Sequence, residues 1–127
     1  MSRVICIAGE SGSGKTTSMR NLDPASTYYI DADKKGLSWK GWRKQYNKEN
    51  KNYAACDDAN LVRQYIQKIA EGCPQIKVIV VDTINGLMIA DEMRRSKEKG
   101  YDKWVDLAAC IWDLVCEAYS YRDDLTI

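Results

Sequence analysis

The residues best equipped for chemistry lie in one stretch, Gly9-Glu10-Ser11-Gly12-Ser13-Gly14-Lys15-Thr16, followed by Thr17. Glycines at 9, 12 and 14 carry no Cβ, so the backbone can turn tightly and aim successive N–H groups at one anion. Lys15 adds a point charge suited to the β- and γ-phosphates of a nucleoside triphosphate, and the Thr16 hydroxyl is a hard oxygen suited to Mg²⁺. Asp82 ends the apolar run Lys77-Val78-Ile79-Val80-Val81. Magnesium keeps several waters, so a carboxylate there can hold one of them and complete the metal site with Thr16. A flexible glycine-serine turn, and for Asp82 an ordinary strand end, are the alternatives; the spacing Gly-x4-Gly-Lys-Thr and its flanks argue against them.

Such a loop needs a strand before it and a helix after it. Val4-Ile5-Cys6-Ile7-Ala8 is an unbroken apolar run rich in β-branched residues, predicted to be a parallel strand buried on both faces. Lys15 to Asn21 is predicted to be a helix of about two turns, stopped before Pro24, with its N-terminal partial charge aimed at the phosphates. Tyr28-Tyr29-Ile30 reads as the second strand, leaving through Asp31-Ala32-Asp33, whose two carboxylates period two aims at one face. Residues 34 to 51 read as a long loop with one helical turn near Trp39 to Gln45.

Tyr53 to Cys56 reads as a short strand, and Asp57 or Asp58 can cap a helix striped by Leu61, Val62, Tyr65, Ile66 and Ile69. Gly72 and Pro74 stop that helix, and Lys77 to Asp82 is the strongest strand. A last helix is predicted from about Asp102 to Tyr121. Val105, Ala108, Trp112, Val115 and Tyr119 share one stripe, with Trp104 and Trp112 expected in the core, and Leu125 to Ile127 begins another strand. Strands alternating with helices imply an α/β fold, a three-layer sandwich about a mostly parallel sheet, and the length suits one domain over residues 1–127.

The bulk numbers restrict the setting. Apolar residues make up 45% and charged residues 29% of the chain, the balance of a globular protein. A net charge of +1 gives no whole-molecule attraction to nucleic acid or to an anionic membrane, so any such attraction must be local. Five cysteines without a Cys-x-x-Cys pair, and no histidine, argue against a zinc site and for reduced thiols in the cytoplasm. No run is long enough to span a membrane.

The segments Gly9 to Thr17, Tyr29-Ile30-Asp31-Ala32-Asp33 and Val78-Ile79-Val80-Val81-Asp82-Thr83, in that order, resemble the RecA-like P-loop ATPase core. The chain is most similar to the small phage-encoded RecA-like (AAA-type) nucleotide-binding proteins. The resemblance implies ATP or ADP with Mg²⁺ on residues 9–17, catalytic roles for Lys15, Asp33 and Asp82, and work in phage DNA recombination or replication. In that family the last acidic residue of the second motif polarises the attacking water. Asp33 holds that position here with a side chain one methylene shorter than the usual glutamate. The family also inserts a strand between the phosphate-loop strand and the Asp82 strand. Leu125 to Ile127 would begin that strand, with a γ-phosphate sensor and a second DNA-binding loop beyond it, so the resemblance implies a C-terminally truncated fragment.

Local charge is concentrated in Lys34, Lys35, Lys40, Arg43, Lys44, Lys48 and Lys51, interleaved with Trp39, Trp42 and Tyr46. Cations with aromatics suit single-stranded DNA, although a solvated loop with its tryptophans packed beneath accounts for them too, and Trp39 or Trp42 could instead stack on adenine. Arg94, Arg95, Lys97, Lys99 and Lys103 fall where the resemblance implies a first DNA-binding loop, but acids dilute them into an ordinary surface loop. Two rival functions remain at this stage. One is a small-molecule P-loop kinase, which would set the phosphate-loop strand directly beside the Asp82 strand; the other is a nucleotide-gated homo-oligomeric assembly module.

Overall fold

The structure is a computed structural model that describes residues 1–10 and 12–127. Its sheet has three parallel strands, β1 (Thr27–Asp31), β2 (Tyr53–Ala55) and β3 (Val78–Asp82), in the order β2-β1-β3. Aromatic and β-branched residues fill β1 and β3, which favours a pleated, packed conformation. The register sets Tyr29 against Val80 and Asp31 against Asp82, so both carboxylates reach the same edge of the sheet.

Beyond β3 the two chain ends continue the sheet. Thr126 bridges Val78 on one side and Arg3 on the other, both in parallel. Ile79 N–H donates to Thr126 O (2.9 Å), Thr126 N–H to Lys77 O (2.9 Å), Ile127 N–H to Arg3 O (2.8 Å) and Ile5 N–H to Ile127 O (2.9 Å). Residues 125–127 therefore lie between β3 and the segment leading to the glycine loop. The strand expected over Val4 to Ala8 is not formed as such, and it is not buried: Ile5 is 55% and Ile7 50% exposed. The short 125–127 segment offers ladder partners to Arg3 and Ile5 alone, which leaves Cys6 to Ala8 without a neighbouring strand among the described residues.

The even-numbered face of β1 carries the main core. Ile30 and Ile79 pack there with Val62, Ile66 and Ile69 of α2 (Ala59–Gly72), Leu87 of α3 (Ile84–Arg94), Leu114 of α4 (Tyr101–Ala118), and Leu125. On the other face Tyr29 packs with Leu37 and Tyr46, flanked by Met19, Trp39, Trp42, Tyr53 and Val80. That third layer is built from loop and the four-residue helix Trp42–Gln45 (α1), at the position the sequence suggests for a helical turn. The helix expected over Lys15 to Asn21 is a single 3-10 turn, Thr17–Met19. Its bonds run three residues back, from Met19 to Thr16, Arg20 to Thr17 and Leu22 to Met19, while the Ser18 hydroxyl occupies Lys15 O at 2.5 Å. Such back-bonding competes with the regular helix ladder.

α2 ends as its sequence suggests. The Asp58 carboxylate accepts from the N–H groups of Asn60 (2.9 Å) and Leu61 (3.4 Å). At the other end the Arg122 guanidinium donates to the carbonyls of Ala70 (2.5 Å), Cys73 (3.2 Å) and Ile76, supplying donors the helix terminus lacks. Val62, Ile66 and Ile69 are buried, whereas Leu61 and Tyr65 of the proposed stripe are largely exposed. α3 was not foreseen, and α4 buries a different side from the one expected. Leu107, Leu114 and Ala118 face the core, so Val105, Ala108, Trp112 and Tyr119 face outward. Trp104 and Trp112, expected in the core, are 51% and 70% exposed. Among the described residues no helix is long and apolar enough to cross a membrane.

Candidate nucleotide site

The glycine loop turns as its composition requires. Gly12 and Gly14 adopt φ of 77° and 95°, a region costly for residues with a Cβ, and Ser13 N–H closes a turn onto Glu10 O at 3.1 Å. Ser11, counted in the loop, lies outside the described residues. The Lys15 ammonium folds back over the loop, donating to the carbonyls of Gly9 and Glu10, the latter at 2.9 Å. Thr17, in the 3-10 turn, shares a 2.6 Å hydroxyl hydrogen bond with Ser38, tying the loop to the aromatic layer.

The structure brings Thr16 and Asp82 together across 66 residues of sequence. The Thr16 hydroxyl donates to Asp82 Oδ2 at 2.7 Å. A second donor, absent from the sequence reading, meets the same oxygen: the Tyr29 phenol donates to it at 2.6 Å. Tyr29 is fully buried and Asp82 is 9% exposed. Burial, then the hydrogen bond to Asp82, push the phenol far above its ordinary range, so it remains a proton donor. Tyr29 stands two residues before Asp31 and therefore on the same sheet face. That parity was the available signal; the register against β3 was not.

The two carboxylates expected on one face part company. Asp31, 2% exposed, accepts from Gly36 N–H (2.8 Å) and the Tyr53 phenol (2.7 Å), and it organises the turn after β1. Burial and that bond raise the Tyr53 phenol as well. Asp33 lies beyond the strand end, where alternation no longer applies. Its Oδ1 accepts from the Thr83 hydroxyl at 3.3 Å and its Oδ2 pairs with Lys35 at 3.3 Å. Thr83 follows Asp82 directly, so Asp33 stands beside the Asp82 strand end.

The aromatic residues of the basic segment are chiefly packing. Tyr46 is buried, and Tyr29, Trp39 and Tyr46 form an edge-to-face cluster with centroids 5.5 to 6.4 Å apart. Trp39 also donates to Gln45 Oε1 at 2.8 Å, and Trp42 leans on Tyr53. Lys34 pairs with Asp57, as does Arg94, and Arg95 pairs with Glu98 and Asp106.

A glycine loop with two left-handed turns, a lysine and threonine directly after it, and a strand-end aspartate bonded to that threonine define a P-loop nucleotide site. A family model described as AAA domain matches residues 1–120. The chain belongs to that family, a family of nucleotide-binding P-loop ATPases that generally take ATP or ADP with Mg²⁺. No curated protein and no solved structure matches the chain.

The residues fit a magnesium-bound nucleotide. Hydroxyl and carboxylate oxygens, the hard donors magnesium prefers, meet at 2.7 Å beside a lysine whose only partners are carbonyls. No cluster of three or more His, Cys, Asp or Glu side chains able to hold a metal occurs among the described residues. An ion at Thr16 and Asp82 would thus take its remaining ligands from phosphate and water.

Proposed function

We propose that the chain is a Mg²⁺-dependent ATPase of RecA-like type, with slow turnover, serving phage DNA recombination or replication. The observation that carries this reading is the 2.7 Å Thr16–Asp82 hydrogen bond next to Lys15. The loop N–H groups from Gly9 to Gly14 and the Lys15 ammonium hold the phosphates, with Thr16 and Asp82 holding the ion directly and through water. Magnesium supplies charge neutralisation on the phosphate oxygens. Asp33 orients a water and takes its proton as the water oxygen bonds to the γ-phosphorus. The bond from that phosphorus to the ADP oxygen breaks, with its electron pair leaving on ADP.

The position of residues 125–127 between β3 and the glycine-loop segment supports the RecA-like reading over the kinase, for which direct adjacency is expected. Titration calorimetry with ATP or ADP and Mg²⁺ tests binding. Measurable affinity is expected for the wild type, reduced at least tenfold in Lys15→Ala because the charged donor contributes about 1.5–3 kcal/mol. Asp33→Ala is expected to retain affinity and lose turnover. Absence of binding by the wild type would overturn the proposal.

A nucleic-acid partner has support of its own. Lys40, Arg43, Lys44, Lys48 and Lys51 are exposed and form no ion pair among the described residues, and a cleft of ≈ 530 Å³ runs past Trp39, Lys40, Trp42, Arg43 and Lys44. Salt-dependent binding of labelled single-stranded DNA, lost on neutralising Lys40, Arg43 and Lys44, is the expected result. A nucleotide-dependent homo-oligomer is tested by sedimentation with and without ATP.

A further inference from the structure

Gly86 lies in the first turn of α3, where glycine is a poor helix former. Its backbone does not demand glycine, since its φ lies outside the left-handed region that Gly12 and Gly14 occupy. Space does. A Cβ on Gly86 would fall onto Asp33 Oδ1, 3.1 Å from the carboxyl carbon and 3.4 Å from the Thr83 hydroxyl oxygen. The carboxyl group cannot swing aside freely, because a single methylene joins it to the backbone and its two oxygens are held by Thr83 and Lys35.

The same helical turn also orients that carboxylate. Gly86 N–H donates to Thr83 Oγ1 at 3.0 Å, which leaves the Thr83 hydroxyl proton to point at Asp33 Oδ1. A directed chain of donors runs from the positive end of an eleven-residue helix to the carboxylate.

We infer that Gly86 is a positioning residue for Asp33: its missing side chain lets the carboxylate seat against the first turn of α3, where Thr83 fixes which oxygen remains for water. This rests on the proposed water-activating role of Asp33. Glycine at this position exchanges helix propensity for the location of a catalytic group.

The test compares wild type, Asp33→Ala, Gly86→Ala and the double variant for kcat and KM with MgATP, for ADP affinity and for melting temperature. Displacing a reacting group by about 1 Å can cost on the order of a hundredfold, so Gly86→Ala is expected to lower kcat at least tenfold. KM and ADP affinity should stay within about twofold, the melting temperature should not fall because alanine favours the helix, and the double variant should be no slower than Asp33→Ala. Wild-type kcat in Gly86→Ala together with an inactive Asp33→Ala would overturn the positioning role and leave the role of Asp33 standing. Full turnover in Asp33→Ala would overturn both. Should Gly86→Ala melt below the wild type, Thr83→Ser and Thr83→Val decide the matter. Serine should keep wild-type kcat and valine lose it at unchanged ADP affinity, and equal rates in the two would overturn the inference.

Discussion

Tyr29→Phe removes one oxygen from the centre of the site and little else. The ring stays packed edge-on against Trp39 and Tyr46, with centroids 6.4 and 5.5 Å away, so the apolar contribution of this fully buried side chain is retained. What is lost is the 2.6 Å hydrogen bond to Asp82, a carboxylate only 9% exposed. Hydrogen bonds to charged groups contribute about 1.5–3 kcal/mol. A loss of about 2 kcal/mol in a domain of this size lowers the melting temperature by about 6–10 °C. The deficit has a pH signature. The folded phenol titrates above its unfolded value, so its contribution is fully present below about pH 10 and declines above it by about 1.4 kcal/mol per pH unit. Phenylalanine has no such proton, and the wild-type advantage should therefore shrink between pH 9 and pH 11. Thermal melts of both proteins across that range read the effect directly. A melting temperature within 2 °C of wild type at pH 7, or a gap unchanged up to pH 11, would refute the reasoning.

Arg122→Ala should destabilise the protein by about 3 kcal/mol in urea denaturation, because the carbonyls of Ala70, Cys73 and Ile76 lose a shared charged donor. Asp58→Ala should cost about 0.5–2 kcal/mol in the same assay, with the N–H groups of Asn60 and Leu61 left uncapped. Trp112→Gln should leave stability within about 0.5 kcal/mol, since 70% of that side chain faces water, and the wild-type tryptophan fluorescence should contain a component readily quenched by acrylamide. A Trp112→Gln loss of several kcal/mol would mean that α4 buries the opposite side.

Features that depend on near neighbours were legible in the residues themselves. The glycine loop required only spacing and missing Cβ atoms, and Gly12 and Gly14 take up the left-handed conformations. β1, β3 and the Asp58-capped α2 followed from β-branched runs, an N-cap and a stop signal. α3 gave no such sign, because only Leu87 in it is buried while Met88, Ile89 and Met93 are exposed, so no apolar stripe marks it. α4 carries two stripes, Leu107-Ile111-Leu114-Ala118 and Val105-Ala108-Trp112-Tyr119. Both satisfy a period of 3.6, and the packing partners in α2, α3 and Leu125 select the first.

The site divides in the same way. Which residues could touch phosphate or metal was written in the order Gly9 to Thr17 and in Asp82, since local backbone freedom and donor chemistry belong to each residue alone. Their convergence was not. The meeting of Thr16 with Asp82, the second donor from Tyr29, the separation of Asp31 from Asp33 and the seat that Gly86 leaves for Asp33 all depend on strand register and on where a helix begins. Those are set by the packing of segments 50 or more residues apart, because a shift of one residue in register turns every side chain of a strand to the other face.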